Sequence, residues 1–278
     1  MVARIKKELD RKVVEGGLLI DVAKFIEDEF EKAGAKAAFP INISINDFAA
    51  HYTPVVDDKT VFSKGDLVKI DLGAHYDGYP VDTAISFLVG EDALKQKLIE
   101  TCDSALQRAV EVAKPNVPLA TIGKTIRTTM EENGFKPIVN LGGHGLARWD
   151  LHSVPSIPNH ENMKGELPPD TTIAIEPFCT TGVGKVIDSK PSQIFMVLGP
   201  RPTRLPIARE AFSYVSKEFQ TLPFCQRWVP EKLRSGLPYL VQSGALRNFA
   251  VLREAGRGMV SQAEHTLYVG EQDCEVLT

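Results

Sequence analysis

Apolar side chains recur at three- and four-residue steps from Leu19 through Val22 and Ile26 to Phe30, and the pattern stops at Gly34. The same spacing returns 100 residues later, from Leu119 through Ile122 and Ile126 to Met130, and stops at Gly134. Segments 14–37 and 114–137 align without a gap, with identities at Leu19/Leu119, Lys24/Lys124, Ile26/Ile126, Glu31/Glu131, Gly34/Gly134 and Lys36/Lys136. The spacing predicts two amphipathic helices, each closed by a C-terminal glycine. Asp21 and Thr121 fall where an N-cap is expected. Two amphipathic helices can look alike by chance, but ungapped identities favour an old duplication. Duplicated α+β halves pack about a pseudo-twofold axis, and sites often form in such a seam.

Period two replaces the helical period over 67–89, LVKIDLGAHYDGYPVDTAISFLV. The central Asp-Gly is a strong hairpin signal. With Asp77 and Gly78 as the turn, Tyr76 pairs with Tyr79 and Asp82 lies opposite Gly73. Asp71, two residues from Gly73, shares that face, so Asp71 and Asp82 become diagonal neighbours. Gly73 leaves the space between them clear. Either acid could turn to solvent; if both point inward they repel, and burial without a counter-charge is costly. Hard divalent cations prefer such oxygen ligands. Further ligand types follow in β-like runs. His144 stands among the glycines of VNLGGHGL, which lacks the Lys-Ser/Thr of a phosphate loop. Glu176 ends the alternating apolar run of TTIAIEPF, and Glu264 lies in the strand-like MVSQAEHTLYV, where His265 takes the opposite face. Each glutamate alone reads as an ordinary strand charge; the five together point to metal.

Composition narrows the class without naming chemistry. The chain has 278 residues and a formal charge of −4, with 43% hydrophobic and 24% charged residues. Those values belong to a globular chain with one large domain or two small ones, not to a fibre or a disordered chain. The acidic balance argues against a dedicated nucleic-acid binder. No apolar run has membrane length, and MVARIKKELDRK lacks a signal-peptide core. Cys102, Cys179, Cys225 and Cys274 form no CxxC pair and read as free thiols of a reducing compartment, by default the cytoplasm.

The set Asp71, Asp82, His144, Glu176 and Glu264 resembles the dinuclear metal site of the methionine aminopeptidases. Their wider pita-bread fold family also includes prolidase and creatinase. KIDLGAHYDGYPVDTA, GGHGL, IAIEPF and SQAEHT occur in the family's order. His51 in AAHYTP and His152 in LHSVPSIPN fall where that family has two substrate-facing histidines. The likeness covers essentially the whole chain. The long stretch between Glu176 and Glu264 looks like the helical insertion of type II enzymes, at about 200–258. Without a long charged N-terminal extension, the chain is similar to the archaeal type II form.

The resemblance implies a pita-bread α+β fold. Residues 1–278 would form one catalytic domain, with pseudo-twofold halves around a curved antiparallel sheet and a helical insertion subdomain. It implies two divalent metal ions, whether cobalt, manganese, iron or zinc. Asp71 would chelate one ion, Asp82 and Glu264 would bridge both, and His144 and Glu176 would complete the other. A water activated by the ions would attack the first carbonyl, with Glu176 shuttling its proton. His51 and His152 would hold the scissile peptide and its oxyanion. Phe39, Leu151 and Phe249 would line the methionine pocket, Phe249 standing where type II relatives usually carry Tyr. The implied activity is removal of N-terminal methionine from nascent proteins and peptides with a small second residue. The implied enzyme is a cytoplasmic monomer with no membrane or dedicated nucleic-acid partner. Residues 200–237 carry seven Lys or Arg against three Glu, which would serve a transient ribosome contact or simply form a solvated helical face.

Two rival readings share parts of this pattern. A non-catalytic binding protein on the same fold would have lost metal ligands, and all five are present. A proline-specific peptidase shares the five, but HYTP and the lack of a large N-terminal domain argue against it. His75 is expected at the edge of the site or in solvent, and His160 in an exposed loop.

Overall fold

A computed structural model describes residues 1–278. Its first helix, α1 (Val2–Leu9), buries Val2, Ile5 and Leu9 on one face. It was not among the predicted elements, although those three residues carry its period. The repeated segments become α2 (Leu19–Lys32) and, after α3 (Ala93–Val112), α4 (Leu119–Glu132).

The predicted glycine ends are present. Gly34 and Gly134 take φ of 73° and 85°. The amides of Ala35 and Phe135 reach back to the carbonyls of Phe30 and Met130 at 3.0 Å, which satisfies the last turn of each helix. The predicted N-caps are not: α2 and α4 begin after Leu18 and Pro118, no side chain caps them, and Asp21 lies inside the first turn. Each start is held instead by a short antiparallel bridge. Leu19 N–H donates to Thr60 O at 3.1 Å and Leu119 N–H to Gly165 O at 3.0 Å. The approach to each bridge is also duplicated, with Gly16 and Asn116 both at positive φ. Backbone pairing thus takes up helix-start donors that a side chain would otherwise satisfy.

The helices cover one side of the sheets. Leu19, Val22, Ile26 and Phe30 of α2 pack with Val68, Ile70, Leu72 and Ala74 of the strand Leu67–Tyr76. In the second half, α3 and α4 pack on Ile173 and Ile175 of Thr171–Ile175 and on Leu267 and Val269 of His265–Val269. Side chains alternate along a strand, so these apolar contacts turn Asp71 and Gly73 to the opposite, inner side. Leu67–Tyr76 pairs antiparallel with Asn42–Ile45, Lys36–Ala37 and Tyr79–Leu88. Thr171–Ile175 is flanked by Gly142–Ala147 and His265–Val269. The duplicated α+β architecture with curled antiparallel sheets is the expected one.

The hairpin has the predicted register, with Tyr76 opposite Tyr79 and Gly73 opposite Asp82. Asp77 and Gly78 both have positive φ, as a tight two-residue turn requires. Trp149 packs against Gly78 so closely that a Cβ could not be placed there. His75 is buried, accepts the Gly78 amide at 3.1 Å and meets the edge of Trp149. It therefore braces the turn and does not line the cavity of the acids.

After Pro200 come α5 (Pro206–Glu218), α6 (Glu231–Arg234) and α7 (Leu237–Gln242), which share a small core of their own. The expected boundary near 258 lies too far along. Leu246–Glu254 is a strand joined to Val186–Val197 and Phe48–Ala50, so it belongs to the main body. The basic stretch is largely paired: Arg227 grips Glu27 through two bonds of 2.8 and 2.9 Å, and Lys232 meets Glu210. Arg209 and Arg234 bond to backbone carbonyls.

A Cβ on Gly73 would strike the Phe39 ring and the Val81 carbonyl. Gly73→Ala is expected to lower the melting temperature by several degrees, because a strand carbonyl cannot move aside cheaply. Calorimetry checks this; an unchanged melting temperature would mean the inner face is not packed as described.

Candidate metal centre

Strands from both halves bring five side chains to one point. Asp71 and Asp82 come from the two strands of the hairpin. His144 comes from Gly142–Ala147, Glu176 follows the end of Thr171–Ile175, and Glu264 lies between Val260–Gln262 and His265–Val269. Glu264 is thus in the short link between two strands, not inside one as its sequence setting suggested. Ligand atoms of Asp82, His144 and Glu264 lie within 4.8 Å of one another. His144 Nε2 is 3.8 Å from Asp82 Oδ2 and 3.8 Å from Glu176 Oε1. All five residues predicted to share metal are brought together.

The electrostatics show what the cluster lacks. Asp82 is 4% exposed and Glu264 1%. Burial pushes the Asp71 carboxyl up to about 7. Burial, then Asp71 and Glu176, holds Asp82 well above the carboxylate range, and Glu176 is raised by burial and Asp71. Glu264 is raised by burial, then by Asp82, Glu176 and Asp71. Asp71 Oδ1, Asp82 Oδ1 and both carboxylate oxygens of Glu264 are buried with no hydrogen-bond partner. Orphaned acceptors of this kind need an explanation, and a cation supplies one. Four acids and one neutral imidazole suit two divalent ions in charge and donor type. His144 fits as well: its Nδ1 lies 3.2 Å from Gly145 O, a group that can only accept, so the proton sits on Nδ1 and the Nε2 lone pair faces the acids. Burial keeps the ring neutral.

Residues that sequence reasoning passed over hold the acids in place. Gln262 Nε2 donates to Asp71 Oδ2 at 3.4 Å. Thr266 exchanges bonds with the Asp82 backbone, both at 2.7 Å, and Thr83 Oγ1 donates to Glu264 O at 2.7 Å. Asn159 Nδ2 donates to Glu176 O at 3.2 Å. Gln262 and Thr266 flank Glu264 in SQAEHT and could have been found from that motif; Asn159 carried no signal of its own.

A cavity of about 760 Å³ opens beside the acids. Phe39, Leu151, Phe249, His51 and His152 all line it. Phe39 and Leu151 also pack with Leu146 and Leu222 in one apolar cluster. His51 takes φ of 64°, and its Nδ1 lies 3.1 Å from Ala250 O. That carbonyl fixes the proton on Nδ1, leaving Nε2 as an acceptor. The His152 ring meets that of His144 at 4.4 Å and reaches water within the cavity. The cavity walls, then His144 and His51, keep it neutral. His160 corrects its expectation: it lines the cavity instead of standing clear in a loop.

A model of metallopeptidase family M24 matches residues 1–199. The chain is 42% identical over 272 residues to a methionine aminopeptidase of Archaeoglobus fulgidus, covering 98% of this chain and 92% of that protein. Among solved structures, it resembles a methionine aminopeptidase of Thermotoga maritima with a TM-score of 0.73 and 24% identity, over 100% and 92% of the two chains. It also resembles the prolidase of Pyrococcus horikoshii with a TM-score of 0.62 and 20% identity, over 99% of this chain but 58% of that one. At these identities the two structures establish the fold.

The acids set a pH dependence of unusual sign. A carboxyl whose folded pKa exceeds its unfolded value withdraws stability as pH rises between the two, here from 3.8 to about 7 for Asp71. Divalent cations displace those protons. The gain in melting temperature on adding manganese or cobalt is therefore expected to be larger at about pH 7.5 than at about pH 5. Thermal denaturation with and without metal checks it; an equal gain at both would contradict the burial of ionised acids.

Proposed function

The chain belongs to metallopeptidase family M24, and from that premise we propose which of its residues remove an N-terminal methionine and how. The activity is metal-dependent cleavage of that methionine from proteins and peptides with a small second residue. The observation that carries the site assignment is the group of four carboxylates around His144, two of them buried, with acceptor atoms that nothing in the chain satisfies.

Asp71, Asp82, His144, Glu176 and Glu264 would hold two divalent ions. When bound, such ions lower the pKa of a water and polarise a carbonyl. The remaining work falls to the chain. Phe39, Leu151 and Phe249 take up the methionine side chain, and the walls exclude water. His51, protonated at Nδ1 by its bond to Ala250, presents Nε2 as an acceptor for the scissile N–H. That fixes the peptide plane and leaves the donor role at the developing oxyanion to His152. The division refines the expectation that both histidines would stabilise the oxyanion. Glu176, on the cavity wall beside His144, takes a proton from the attacking water and passes it to the leaving amine.

The family also contains proline-specific enzymes, but the long archaeal likeness supports the methionine reading. The proposal includes a single catalytic domain with an inserted helical part from α5 to α7. It also includes a monomer acting in the cytoplasm on emerging N-termini. No helix is long and apolar enough to cross a membrane. A transient ribosome contact would have to use the cations left outside the pairs described above, Arg201, Arg204 and Lys217.

Metal-loaded protein is expected to cleave Met-Ala-Ser and leave an X-Pro dipeptide intact; the reverse would replace this reading with a prolidase one. His144→Ala is expected to lose bound metal, measured by elemental analysis, with circular dichroism unchanged. His152→Ala should keep its metal and lose roughly 10²–10³ in kcat, the cost of an oxyanion donor. Near-normal turnover for His152→Ala would contradict its role.

A further inference from the structure

One cation in the cavity wall has no partner. Arg247 stands on Leu246–Glu254, opposite Met196 and two residues before Phe249. Its guanidinium lies over the Phe249 ring, 4.7 Å from the centroid, and it is exposed. Arg227, Arg253 and Lys232 are each bound to a carboxylate, of Glu27, Asp47 and Glu210. Arg247 makes no ion pair and no hydrogen bond, and Asp150, the non-ligating acid of the same cavity wall, does not reach it. Its charge is felt inside the cavity, where it opposes protonation of both His51 and His152.

Stacking on Phe249 holds the planar fork in place, and that fork matches a carboxylate through two parallel bonds. The direction of the substrate follows from the proposed function, on which this inference rests. The α-amino group lies at the acid cluster, the methionine side chain at Phe249, and the scissile bond at His51, whose ring is 5.4 Å from that of Phe249. Arg247 lines the same cavity two residues from Phe249, and its exposed side chain stands on the solvent side, by which the rest of the substrate must leave. We propose that Arg247 is a specificity-determining residue that binds a carboxylate at the third residue of the substrate, either an acidic side chain or the terminal carboxylate of a tripeptide.

Four peptides test this on the metal-loaded full chain: Met-Ala-Ser as free acid and as amide, and the amides of Met-Ala-Asp and Met-Ala-Asn. The free acid is expected to exceed its amide, and Asp to exceed Asn, by about fivefold in kcat/KM, carried by KM, as for an exposed ion pair. Both ratios should fade at about 0.5 M salt. R247Q is expected to remove them, and R247K to retain part. A gain confined to the free acid assigns the terminal carboxylate, and one confined to Asp assigns the side chain; either supports the proposal. Ratios of one in the unsubstituted protein, or ratios that persist in R247Q, overturn it. If none of the four is cleaved, the aminopeptidase reading fails and the peptides remain intact. Their Kd ratios then decide on Arg247 by the same criterion.

Discussion

Four carboxylates crowded together at the wall of a cavity, two of them shut off from water, are the constraint on which the rest of this structure depends. At neutral pH they repel, and holding a buried acid ionised against a shift of several pKa units costs on the order of a few kcal/mol. Asp82 and Glu264 are nearly inaccessible, yet their oxygens include acceptors with no donor in the chain. A fold that spends its stability in this way must recover it from a bound cation. The surrounding backbone is arranged for that. Thr83 and Thr266 tie the hairpin to the segment around Glu264, and Gln262 bridges towards Asp71.

The repeated α+β architecture explains how one chain assembles such a cluster. In both halves the helices sit outside and leave the inner strand faces to polar residues. The two halves differ in what they place inward. The first supplies two aspartates from a tight hairpin; the second supplies His144 and Glu176 from neighbouring strands. Glycine makes the close approach possible. A Cβ on Gly143 would meet the Ala174 carbonyl, and one on Gly145 the Val154 carbonyl, so the strand that carries His144 fits only without side chains on either side of it. Helices α5 to α7 share a core of their own, yet Leu222, just beyond α5, joins the apolar cluster of Phe39 and Leu151.

Much of this was legible in the sequence because it rests on local rules. Asp-Gly set the hairpin register, and with it the pairing of Gly73 and Asp82. The period of three and four, closed by glycine, marked α2 and α4. The proposed metal ligands were readable as a set because five residues of three types in a fixed order carry more information than any one of them. What was not legible depended on long-range contacts. The helix starts are held by Thr60 and Gly165, far along the chain, and not by the nearby polar side chains Asp21 and Thr121. The roles of the histidines turned on single carbonyls: Ala250 for His51, Gly145 for His144. His75 has the alternation of a site residue, but Trp149 and the Gly78 amide claim it. The strand Leu246–Glu254 was not legible either, because its partners are the distant strands Val186–Val197 and Phe48–Ala50.

The central claim is that the buried acids exist to hold a pair of cations. Titrating metal-free protein with manganese, in an isothermal calorimeter and in buffers of differing ionisation enthalpy, tests it most directly. The predicted result is binding of two ions per chain at neutral pH with protons released to the buffer, because Asp71 and its neighbours give up protons when the ions arrive. Binding without proton release, or no binding at all, would contradict it.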